Sequence, residues 1–159
     1  ATMPNQALIE GTVKDVQGDD WDAVINVNVL EHIQDDEGEL KEYYRLLNKN
    51  KGTINLFIPA RPEIYAPIDK DFGHYRRYTK KEIIRKVIDA GFKIERIRYF
   101  NVVGYFLWWF NFRILKQRTF NIAAVSIFDK IIFPVIYFIE SKIVAPPFGQ
   151  SLIVIARAE

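Results

Sequence analysis

Residues 22–33 read DAVINVNVLEHI, a strand-like run passing into a turn that carries two ionisable side chains. Its first seven residues, 22–28, are mostly Val, Ile and Asn with no polar alternation, which predicts a β-strand buried on both faces. Downstream, Leu40, Tyr43, Tyr44 and Leu47 recur at spacings of three and four. That stripe predicts an amphipathic helix over 34–48, with Asp35 and Asp36 at its start, where the macrodipole favours acids. The turn NKNKG (48–52) leads to a second buried strand, TINLFI (53–58), which Pro59 ends.

Working outward, ALIEGTV (7–13) reads as a short strand and KDVQGDD (14–20) as a polar loop. Beyond Pro59, residues 60–78 form a long polar and aromatic connection. Thr79 is placed to cap a helix, with Glu82 three residues on to complete a capping box. That helix runs to about Ala90, and Gly91 stops it. FKIERIRY (92–99) alternates apolar and charged residues as a half-exposed strand should, and SLIVIA (151–156) is a last apolar strand. Strands alternating with helices predict an α/β fold on a mostly parallel sheet. Residues 100–150 separate the last two strands, and an aromatic-rich helical insertion is expected over 100–148.

Composition narrows the function. The 159 residues are 49% hydrophobic and 26% charged, with a net charge of +2, a globular profile for one domain. The charge is too even for a nucleic-acid binder. Without cysteine there is neither a disulfide framework nor a thiolate metal site. A cytoplasmic location is the default expectation, with no basic segment and apolar run at the start.

The run DAVINVNVLEHI resembles the fourth-strand signature of class I S-adenosyl-L-methionine-dependent methyltransferases, a strand beginning in Asp and ending N-x-L-E-H-[IV]. The likeness continues through Asp35-Asp36, Leu40, Arg45-Leu46-Leu47, Lys51-Gly52, the loop Gly73-His74-Tyr75-Arg76-Arg77-Tyr78-Thr79 and Ala90-Gly91-Phe92. It covers roughly residues 7–100 and 151–159. It departs from the family at Asn50-Lys51-Gly52, where Pro-Gly-Gly is usual, and in having no G-x-G loop anywhere. The resemblance implies a Rossmann-like, seven-stranded methyltransferase sheet of which residues 1–159 are one N-terminally incomplete domain. Roughly 60–100 further residues would then precede Ala1, given ordinary domain sizes. It also implies S-adenosylmethionine as cofactor, with Asp15, Asn28, Val29, Leu30 and His32 as its contacts, Asp19 or Asp20 being alternatives to Asp15. The expected activity is methyl transfer to a small-molecule or lipid-like acceptor. A non-catalytic, methyltransferase-like binding or dimerisation module is the alternative.

His74 and His32 are the candidate catalytic residues, since an imidazole titrates near neutrality and can take a proton from an acceptor. Each could instead be structural. Pro59, Tyr65, Tyr75, Arg76 and Arg77 are candidate substrate contacts. Paired guanidiniums suit a carboxylate or phosphate, although the arginines could equally be a solvated pair and the tyrosines packing residues. Glu31 could bind a ligand or cap its turn. No metal site is expected from two histidines without neighbouring carboxylate spacing. In 100–148 five basic residues (Arg113, Lys116, Arg118, Lys130, Lys142) outnumber Asp129 and Glu140. Neither apolar run there reaches the ~18–20 residues that span a bilayer. The insertion is expected to be a lid, a homodimer interface, or a lipid-facing cap making peripheral membrane contact.

Overall fold

The computed structural model describes residues 8–143 and 145–159. Strand β1 (Ala23–Val27) is followed by helix α1 (Asp36–Leu47), strand β2 (Thr53–Pro59), the short helix α2 (Pro67–Asp71), helix α3 (Lys80–Asp89) and strand β3 (Phe92–Phe100). Helices α4 (Val102–Trp108), α5 (Ile122–Ile127) and α6 (Phe133–Lys142) come next, and β4 (Ser151–Ala158) comes last. The four strands form one sheet in the order β1-β2-β4-β3.

The helix predicted over 34–48 begins where Asp35 accepts a hydrogen bond from the Gly38 amide at 2.9 Å. Its Leu40, Tyr43 and Leu47 pack with Ile83 and Val87 of α3 against Ile54, Leu56 and Ile58 of β2 and Leu152, Val154 and Ala156 of β4. This is the core, and it lies on one face of the sheet. Thr79 caps α3 by accepting from the Glu82 amide at 3.1 Å. Gly91, at φ +107°, turns the chain out of α3 where a Cβ would stand 2.7 Å from the Tyr44 ring, so a side chain there meets both backbone and packing objections.

Three expectations are corrected. First, β1 is not buried on both faces. Asn26 is buried, but Ile25 and Val27 are 76% and 55% exposed. Helices α1 and α3 cover one face, an apolar run says nothing about what will cover the other, and β1 pairs only with β2 among the described residues.

Second, the sheet is mixed. β1 and β2 are parallel, whereas β4 runs antiparallel to both β2 and β3. The insertion leaves and returns at the same end of the sheet, where the Gln150 amide donates to the Asn101 carbonyl at 3.1 Å. The β3-to-β4 connection is therefore a long hairpin, which forces antiparallel pairing.

Third, residues 8–13 of the expected strand 7–13 are not a strand. They lead into a 3-10 turn at Val13–Asp15, and Ala7 lies outside the described residues. A strand needs a neighbour for its backbone hydrogen bonds, and Leu8 is instead almost wholly exposed. Among the described residues there are four strands where the resemblance implies part of a sheet of seven.

The insertion is helical, as expected, but longer in its helices than the apolar runs suggest. α4 continues as a π-turn at Trp109–Ile114, and α5 and α6 are joined through a π-turn at Phe128–Ile132. Ile122–Lys142 is thus one helix of 21 residues, long and apolar enough by composition to cross a membrane. Asp129 and Lys130 interrupt the apolar run but not the helix. Glu140 ties this hairpin to the sheet. Its carboxylate accepts from the amides of Asn101 at 2.6 Å and Val102 at 2.9 Å, two of the unpaired donors that open α4. Phe133 and Tyr137 pack edge-on against Phe100, and Phe100 against Phe57, on the sheet face opposite α1 and α3.

Candidate active site

The site grows from the carboxyl end of β1. Asn26, buried in the strand, donates to the Tyr43 hydroxyl at 2.8 Å and accepts from the Leu30 amide at 3.3 Å. That clamp, with Asn28 at φ +50°, folds Leu30–His32 into a 3-10 turn over the strand end. The turn directs Glu31 inward and His32 outward. Glu31 is fully buried, and neither carboxylate oxygen has a hydrogen-bond partner among the described residues. Burial raises its pKa, against the opposing pull of its own backbone amide and then of His74, His32 and Arg77.

The loop after β2 closes onto that turn. The Tyr75 amide donates to the Glu31 carbonyl at 2.8 Å, and Gly73, at φ +79°, passes beside the His32 ring. The hub of the loop is Asp69, fully buried on α2. It accepts from Arg77 Nε at 2.8 Å and Nη2 at 2.7 Å, and from the Ala66 amide at 2.8 Å, and its Oδ1 lies 3.0 Å from His74 Nδ1. Burial works to raise the Asp69 pKa, but His74 and Arg77 outweigh it and hold the carboxyl below its ordinary value. The remaining nitrogen of His74, Nε2, is left for a ligand. The His32 and His74 rings meet edge to face with centroids 4.6 Å apart.

Asp36 is a second hub. It pairs with Lys86 at 2.7 Å and Arg76 at 2.8 Å, and accepts from the Tyr78 hydroxyl at 2.9 Å. Burial opposes ionisation of Asp36, but these three donors prevail and lower its pKa. The same burial, with Asp36 alongside, raises the Tyr78 pKa.

A polar cavity of about 290 Å³ opens at the ends of β1 and β2, lined by Asn28, Phe57, Pro59, His74, Arg77 and Trp108 among others. An apolar cavity of about 270 Å³ lies within the hairpin, and Trp108, Phe120 and Gln150 line both. The Arg77 guanidinium sits 4.5 Å over the Trp108 ring, while Trp108 Nε1 is buried with no acceptor among the described residues.

The expected site residues therefore separate into groups. His74, Pro59, Arg77 and Asn28 share the polar cavity, and His32 stands beside His74. Tyr65 reaches the loop from behind, donating to the His74 carbonyl at 2.7 Å. Tyr75 is exposed. Arg76 is occupied by Asp36 and the Gln34 carbonyl, and Arg77 by Asp69, so neither is a solvated pair member nor a free anion fork. Val29 is exposed at the strand end, whereas Leu30 is fully buried and faces the core. Asp15 bonds to Thr12 in the segment that Arg45 holds through the carbonyls of Val16 and Gly18. Arg45 lies in the last turn of α1, so Asp15 is at the other end of the sheet from Asn28. The expectation that the histidines lack a carboxylate neighbour is corrected, because ligand atoms of Glu31, His32 and His74 all lie within 4.8 Å of one another.

Sequence reasoning missed Asp69, Trp108 and Glu140. Only Asp69 carried a signal, as an acid five residues before a histidine in a loop already under suspicion.

No family model and no curated protein matches the chain. Solved structures do. A candidate methyltransferase from Bacillus halodurans is 20% identical with a TM-score of 0.59, the match covering 94% of this chain and 76% of that one. An S-adenosylmethionine-dependent methyltransferase from Thermotoga maritima is 16% identical at 0.57, over 95% and 63%. Another from Mesorhizobium loti is 13% identical at 0.55, over 92% and 67%. The chain thus has the methyltransferase fold and spans about two-thirds to three-quarters of those proteins' length. The [4+2]-cyclase SpnF shares the fold at a TM-score of 0.52, so the architecture does not by itself fix the reaction.

Proposed function

We propose that the chain is the acceptor-binding part of an S-adenosylmethionine-dependent methyltransferase whose acceptor is a lipid-like small molecule, methylated at its polar end. One observation carries this reading: a polar cavity at His74 adjoins an apolar cavity inside the hairpin, with Trp108 in their common wall. A head with a hydroxyl or amine fits the first, and a hydrocarbon tail fits the second.

S-adenosylmethionine supplies a methyl group on a sulfonium. The described residues fit only one edge of it, Asn28 and the backbone of Val29. Among the described residues no carboxylate lines the polar cavity to meet ribose hydroxyls, and no glycine-rich loop is present in the sequence. What this chain supplies is the other side of the reaction. Asp69 holds His74 by Nδ1, which leaves Nε2 of this cavity-lining residue to receive the proton an acceptor loses. Arg77 and Trp108 form the wall that keeps water from the head group.

The hairpin serves as a lid that meets the membrane. Phe106, Phe110, Ile131, Val135 and Phe138 are all more than half exposed, far more apolar surface than a lone lid needs. Ile122–Lys142 would span a bilayer by length alone, but Asp129 and Lys130 near its middle would each cost about 2.5–3.5 kcal/mol at the bilayer centre. Lying along the interface leaves both at the water side, with the neighbouring basic residues near anionic head groups.

The test is a methyl-transfer assay on the full-length protein carrying this chain, with radiolabelled S-adenosylmethionine and a total lipid extract. Label in the organic phase is expected, and its loss in His74→Ala by about 100-fold or more, within the range of general-base catalysis. Label passing only to water-soluble acceptors, or to none, would overturn the proposal.

A further inference from the structure

We infer that Glu31, His32 and His74 form a binding site for a divalent transition-metal cation of the zinc type. The inference stands on the geometry of this cluster and not on the methyl-transfer reading.

Three independent features converge. The first is the ligand set. Two imidazoles and one carboxylate place their donor atoms within 4.8 Å of one another, and this combination is one that open zinc and non-haem iron sites use. Ligands bound at ~2.0–2.2 Å stand closer together than that. The approach needed is small, and His32 is exposed with its ring already against that of His74. The second is Glu31 itself. A carboxylate with no exposed surface and no hydrogen-bond partner for either oxygen is costly to bury unless something positive completes it. The nearby Arg77 does not complete it, because its guanidinium is held by Asp69 at 2.7–2.8 Å.

The third feature is the support behind His74. Its Nδ1 lies 3.0 Å from Asp69 Oδ1, and Asp69 accepts from Arg77 and the Ala66 amide, so the shared proton belongs on Nδ1. That fixes the tautomer and leaves the Nε2 lone pair available. A carboxylate behind a histidine in this way is how metal-ligating imidazoles are oriented and made more basic. Imidazole donors favour zinc, iron or cobalt over magnesium and calcium, which prefer all-oxygen shells. Three protein ligands leave a coordination position open, and His74 also lines the polar cavity. A cation there would polarise an oxygen bound in the cavity, with His74 then serving as ligand rather than as base.

The test uses the tag-free chain, stripped with chelator and titrated with Zn²⁺ alone by calorimetry, then loaded with Co²⁺ for absorption spectroscopy. Saturable one-to-one binding is expected, with Co²⁺ giving the visible bands of a four- or five-coordinate ion. Glu31→Gln, His32→Ala and His74→Ala should each weaken binding by at least the roughly 10–100-fold that loss of a supporting partner costs, and Asp69→Asn should fall within that range. Glu31→Gln also separates ligation from folding. It replaces a carboxyl whose oxygens lack hydrogen-bond partners with a side chain of the same shape, so the metal-free variant should melt no lower than the metal-free parent while losing the melting-temperature rise that Zn²⁺ gives the parent. Absence of one-to-one binding, six-coordinate Co²⁺ spectra, or equal Zn²⁺ affinity in parent and Glu31→Gln would each overturn the inference. Since none of these readouts involves methyl transfer, failure here leaves the assay on lipid acceptors untouched, whereas success would assign His74 Nε2 to the cation and remove it as the base in that assay.

Discussion

Asp36 shows what single residues contribute here. Its carboxylate is bonded to Lys86, Arg76 and Tyr78 at once, which pins the start of α1 to α3 and to the loop bearing His74. Its folded pKa lies below the ordinary carboxylate value, so its stabilisation is complete above about pH 4 and is lost as the pH falls through the folded pKa. Asp69 has the same sign. Glu31, raised by burial, has the opposite sign, and acid relieves it. Melting temperature should therefore hold from neutrality to about pH 4 and fall below that. Asp36→Asn should lower stability at pH 7 by about 3–5 kcal/mol, as removing one partner of a buried ion pair does, and flatten the acid limb. Unchanged thermal melts at both pH 7 and pH 3 would show that Asp36 is not the hub. At this scale the sequence was informative about which residues gather and silent about what they do. His32, His74 and Arg77 do come together, but Arg77 is consumed by a buried acid that no spacing rule pairs with it. Glu31 looked like a cap because sequence does not reveal that its turn points inward.

Among elements, the sharpest dependence is that of α4 on α6. Glu140 caps the amides of Asn101 and Val102 from 38 residues or more away in sequence, and Arg98 donates to its carbonyl at 3.3 Å. Glu140→Ala should cost about 1–2 kcal/mol, the usual worth of a lost cap, but concentrated on the hairpin. Limited proteolysis should then cut within 113–121 faster than in the parent while the sheet's hydrogen-exchange protection stays the same. Uniform loss of protection across the chain would contradict this division. Helices α1 and α3 were legible because an apolar stripe and a cap residue are local signals. The antiparallel direction of β4 was not, because it depends on where a long insertion returns. The length of Ile122–Lys142 was also hidden, since Asp129 and Lys130 break an apolar count without breaking a helix.

On the scale of the whole molecule, the exposed hairpin governs behaviour in solution. The chain should float with liposomes containing anionic lipid, and Ile131→Asp combined with Val135→Asp, at two of the most exposed helix positions, should leave it in the soluble fraction. Concentration-dependent dimers that those substitutions abolish, with no liposome binding in the parent, would point to a homodimer interface instead. The sheet order has a further consequence, for the timing of folding. β4 follows every other described strand in sequence yet lies between β2 and β3, making both ladders that join them. While the chain is being synthesised, β1 with β2 and β3 with its hairpin are two unconnected halves, each presenting an unpaired edge. They become one sheet only after residues 151–158 have emerged and threaded between them, so the interval before that moment is when the nascent chain is most open to wrong partners.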